Sequence, residues 1–127
     1  MDWRGWILPR FGGRKPPSES LSPPDAADLE QLEELRARGS RLELPHPVRG
    51  FAVFDDEAAA RAASELLEKE GFKCQLRTSA DGGWTVTAVH QLLIPTPGAV
   101  TRFREQMEEV ARNLGGSYRG WDAPLVY

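Results

Sequence analysis

From Val48 onward the chain switches between the two-residue apolar repeat of strands and the 3.6-residue repeat of helices. "VRGFAVF" predicts a strand beginning near Val48, after Pro45 and Pro47 hold the backbone extended. "DDEAAARAASELLEKEG" predicts a helix capped by Asp55 or Asp56, with Ala59, Ala62, Ala63 and Leu66 facing inward and Gly71 ending it. "FKCQLRT" sets Phe72, Cys74 and Leu76 on one face against Lys73, Gln75 and Arg77 on the other. After the turn "ADGG", a second alternating run sets Trp84, Val86 and Ala88 against Thr85 and Thr87. "TPGAVTRFREQMEEVARNLGG" predicts a helix capped by Thr96, with Pro97 in its first turn and an apolar stripe of Val100, Phe103, Met107, Val110 and Leu114. A short strand through Ser117 and Tyr118 toward Trp121 completes the series. The order strand, helix, strand, strand, helix, strand is satisfied by one antiparallel sheet with helices on one face. That is the ferredoxin-like split βαβ sandwich of the α+β class.

Two segments precede this unit. "DAADLEQLEELRARG" predicts an additional N-terminal helix, capped by Asp25 and stopped by Gly39, with a thin stripe of Leu29, Leu32 and Leu35 that suits packing at the domain's edge. Residues 1–24 are interrupted by Pro9, Pro16, Pro17, Pro23 and Pro24 and carry a mild excess of Arg and Lys. They predict a flexible Pro-rich arm ahead of a domain at 25–127. Three readings stay open for its Trp3, Trp6 and Phe11: docking on the domain, binding a partner, or neither.

With 127 residues, 40% hydrophobic and 28% charged, the chain can build one core. Its net charge of −3 speaks against a general nucleic-acid binder, without excluding a local basic patch. A single cysteine, Cys74, offers no intramolecular disulfide, and the apolar run Trp6-Ile7-Leu8 is too short for a secretion signal or a membrane span. A cytoplasmic location is the expectation.

"RGFAVF" matches the first four positions of an RNA-recognition strand at Arg49, Gly50, Phe51 and Ala52. The rest of the signature fails: Val53, Phe54 and Asp56 stand where an aromatic, an aliphatic and a second aromatic belong. The strand also precedes the first long helix, whereas the signature strand is the third of four. An ordinary strand with Phe51 or Phe54 in the core accounts for it, and no direct contact with nucleic acid is expected.

Catalytic groups are not apparent. His46 between two prolines reads as a loop histidine with a local hydrogen bond, and His90 as a strand residue near a sheet edge. Neither has a second ligand at metal spacing, so no metal site and no cofactor is expected. Cys74 shares a face with Phe72 and Leu76 and reads as core. Asp55, Asp56 and Glu57 complement a helix N-terminus. The Gly-rich pieces lack the context of a phosphate cradle.

The order of these pieces, from "LRARGSRLELPHPVRGFAVF" through "EKEGFKC" to the ending "LGGSYRGWDAPLV", resembles the regulator of ribonuclease E activity B family (RraB-like domain) over roughly residues 28 to 126. The most telling match is the aromatic, any residue, Gly, Trp ending at Tyr118 to Trp121. The resemblance implies a non-catalytic protein that binds ribonuclease E and modulates RNA turnover. Candidate partner-binding residues are Tyr118 and Trp121, the open-face Thr85 and Thr87, and the helical acids Glu105, Glu108 and Glu109. Trp121 has a second reading as a core residue with a bonded ring N–H. Two alternative functions stay open: a protein-interaction module of the same fold with an unrelated partner, and a dimeric small-molecule-binding domain.

Overall fold

Four strands form one antiparallel sheet in the computed structural model, which describes residues 23–127. The expected arm, with Trp3, Trp6 and Phe11, falls outside the described residues except for Pro23 and Pro24. The elements are α1 (Ala26–Ala37), β1 (His46–Phe54), α2 (Glu57–Lys69), β2 (Lys73–Thr78), β3 (Trp84–Leu93), α3 (Pro97–Asn113) and β4 (Ser117–Asp122). The sheet order is β2-β3-β1-β4, so β1 and β3 are the central strands. Helix α2 joins β1 to β2 with β3 between them, and α3 joins β3 to β4 with β1 between them.

Local chemistry sets the helix ends. The side chains of Asp25, Asp56 and Thr96 accept from the backbone N–H of Ala27, Ala59 and Ala99 at 3.0, 3.1 and 3.0 Å, satisfying donors that the first turn leaves unpaired. Gly71 closes α2 at φ +102°, a conformation that costs other residues a clash at Cβ.

One face of the sheet carries the core. Val48, Ala52 and Phe54 of β1 and Val86 and Ala88 of β3 are buried beneath Ala60, Ala63 and Leu67 of α2 and Val100, Phe103 and Met107 of α3. Gly50 lets α3 approach: a Cβ there would lie 2.8 Å from the Phe103 ring. Helix α1 packs against α3 and buries Leu32 and Leu35.

Four expectations need correction. The inward face of α2 is Ala60, Ala63 and Leu67, while Leu66 is 43% exposed. Five of the seven residues from Glu57 to Ala63 are alanines, so the alanines alone do not phase the helix. Leu29 of α1 is exposed as well, because Asp28 occupies the inward position beside it. His46 is the first residue of β1 and fully buried. Its Nδ1 lies 2.7 Å from the Leu44 carbonyl, which can only accept, so in the neutral ring Nε2 accepts from the Ser40 hydroxyl at 2.7 Å. The expected local bond is present, but in the core. His90 is likewise on a central strand and buried beside Phe72, not at an edge.

Candidate functional site

The residues singled out by sequence fall on three separate surfaces. Trp121 is 5% exposed and belongs to the core. Its indole N–H donates to Asp28 Oδ1 at 2.9 Å, and Asp28 Oδ2 accepts from Arg104 Nε at 2.8 Å. Arg104 reaches on to Glu108 Oε1 at 3.1 Å. Gln31 of α1 donates its side-chain amide to the Trp121 carbonyl. Asp28 thus ties the first helix to α3 and to β4. Tyr118 is half-buried with its hydroxyl against the same cluster, and burial together with the nearby Asp28 and Glu108 carboxylates raises its pKa. Of the aromatic ending, Trp121 is thus a core residue with a bonded ring N–H, and Tyr118 is partly exposed.

The three helical acids separate. Glu108 turns toward Arg104 and α1. Glu105 and Glu109, one turn apart on α3, line a groove between α2 and α3 with Glu70, Arg102, Leu66 and Val110. The groove holds about 410 Å³. Three carboxylates against one guanidinium make it acidic, and the exposed Leu66 adds an apolar anchor that sequence reasoning placed in the core. Only the true phase of α2 could have revealed it.

Thr85 and Thr87 lie on the sheet face away from the helices. There Thr87 stands between Gln75 of β2 and Phe51 of β1, and Thr85 between Arg77 and Val53. Thr85 shares a 2.7 Å hydrogen bond with Ser79. Phe51 is therefore an open-face residue and Phe54 the core one. The alternation in "FKCQLRT" already put Lys73, Gln75 and Arg77 together, but only the strand order aligns them with Arg49 and Phe51.

Among the described residues, no group of three or more His, Cys, Asp or Glu side chains is placed to hold a metal ion. No helix among them is long and apolar enough to cross a membrane. Burial pushes the Cys74 thiol up to about 12, which keeps it protonated and a poor nucleophile near neutral pH.

A family model described as Regulator of ribonuclease activity B matches residues 25–123. The chain belongs to this family. The match spans every helix and strand described above, from the Asp25 cap through the Asp122 end of β4. The family is one of regulators of ribonuclease activity, which is consistent with a regulatory role for this chain. Comparisons with curated proteins and with solved structures gave no match.

Proposed function

We propose that the chain binds a ribonuclease by protein–protein contact and modulates RNA turnover without catalysis, with ribonuclease E the first enzyme to test. Family membership carries this reading. The α2–α3 groove supplies a place for it, since an acidic rim around Leu66 suits a basic, partly apolar segment of an enzyme that handles RNA. The strand order, with each helix spanning an intervening strand, supports the ferredoxin-like arrangement as the scaffold. Thr85 and Thr87 sit on the opposite face, so in this reading they take no part.

Calorimetric titration into ribonuclease E of the same organism, at low and moderate salt, tests the proposal. Saturable binding that weakens with salt is expected. Leu66→Ser and Glu109→Lys are each expected to weaken it roughly 10-fold or more, a typical loss at an interface hot spot. Both residues are exposed, so folding should be unaffected. No heat at either salt from folded protein would defeat the ribonuclease E reading.

A further inference from the structure

The sheet face away from the helices combines an aromatic ring, cations and neutral hydrogen-bonding groups in three aligned rows. The first row runs Lys73, Val89, Arg49, Asp122 across the four strands. The second runs Gln75, Thr87, Phe51, Gly120, and the third Arg77, Thr85, Val53, Ser117. Neighbouring strands lie about 4.8 Å apart and successive rows about 7 Å apart. Phe51 is thus bracketed within a nucleotide's reach by cations above and below.

The concavity over β1, β2 and β3 holds about 750 Å³ and is lined by Arg49, Lys73 and Arg77 with no carboxylate, in a chain of net charge −3. Lys73 and Arg77 form no ion pair with any described residue. Arg49 is gripped by Asp122 at 2.8 and 2.7 Å, which fixes its guanidinium 5.5 Å from the centre of the Phe51 ring. Gly120, paired with Phe51 on β4, contributes no side chain, and a Cβ there would meet nothing within 4 Å. Arg119 adds a further cation at the hairpin end, although Asp55 and Asp81 share its groove.

From this arrangement we infer that the open sheet face binds single-stranded RNA. A base stacks on the platform that the Phe51 ring and the Arg49 guanidinium over it form together, the row of Gln75 and Thr87 meets base edges and ribose hydroxyls, and Lys73 and Arg77 meet phosphates. An acidic peptide would satisfy the cations but would leave the ring and the neutral row without a role. The inference reverses the expectation of no direct nucleic-acid contact. The reason is the strand order, which places Phe51 on a central strand and gathers on one face cations that the whole-chain charge conceals. It stands on a different face from the ribonuclease groove and does not depend on that reading.

Fluorescence anisotropy with a labelled 12-nucleotide RNA strand tests it, alongside the matching DNA strand, an RNA duplex, and an acidic peptide of equal charge. Binding to the single strand at low salt is expected. Phe51→Leu, which keeps an apolar cover on β1, should weaken it roughly 5- to 100-fold, the range for one stacked base. Lys73→Gln with Arg77→Gln should reduce the slope of log affinity against log salt by about 1.4, two phosphate contacts at about 0.7 each. Circular dichroism of each variant checks that the fold is kept. The DNA strand is expected to bind more weakly because it lacks the ribose 2′-hydroxyl, and equal binding overturns the contact of Gln75 and Thr87 with ribose. Three results overturn the proposal: no binding at low salt, a folded Phe51→Leu that binds as wild type, or a peptide or duplex that binds as tightly as the single strand.

Discussion

Asp28 looks from sequence like one more acid in the first turn of a helix, placed to suit the helix dipole. In the structure its side chain is 7% exposed and holds both the Trp121 indole and the Arg104 guanidinium. Removing one partner of such a pair leaves the other buried charge unmatched. Asp28→Asn is expected to cost about 2 kcal/mol in urea unfolding, because Glu108 still supports Arg104. Trp121→Ala should cost about 3–5 kcal/mol through the cavity it opens, and Trp121→Phe about 1 kcal/mol for the lost hydrogen bond. An alanine at 121 would therefore report on folding before it reported on any partner. His90 carries a second residue-scale prediction. Burial lowers its pKa from 6.5 to about 4, so between those values the unfolded chain binds a proton that the folded chain excludes. Stability must then rise with pH through that window and be lost as pH falls through it, by up to about 3 kcal/mol. Chemical unfolding at pH 7 and 4.5 should show a smaller loss for His90→Leu than for wild type. Equal losses would rule His90 out as the source.

At the scale of the element, the caps at Asp25 and Thr96 and the stop at Gly71 were legible, and the α2 cap was narrowed to Asp55 or Asp56, because each depends on neighbours within a few residues. The face of α2 was not. Its alanines spread over a broad arc of the helix, and the choice between Leu66 and Leu67 is settled by the sheet beneath. The fit of α3 on β1 is equally a tertiary fact, visible in the missing side chain at Gly50. Gly50→Ala would press a methyl group against Phe103 and Met107, and thermal or urea unfolding should register a loss of about 1–3 kcal/mol. A neutral result would mean that α3 shifts freely on the sheet.

For the whole molecule, sequence reading reached the α+β class and the family, since both rest on element order. It missed the segregation of charge, because residues as distant as Arg49 and Arg77 share a face only after β3 has inserted between their strands. The acids Glu70, Glu105 and Glu109 line the helical side, and Lys73 and Arg77 the open sheet. The two proposed sites, of opposite sign and on different faces, should act independently. Leu66→Ser is expected to leave RNA affinity within twofold, and Lys73→Gln with Arg77→Gln to leave ribonuclease affinity within twofold, since distant sites add nearly independently. The hydrogen bond between Asp28 and Trp121 spans 93 positions of the chain. At about 5–20 residues per second, the ribosome completes Trp121 roughly 5–20 seconds after Asp28. Throughout that interval α1 is made but has no indole to hold, so this helix takes its final seat only when β4 arrives.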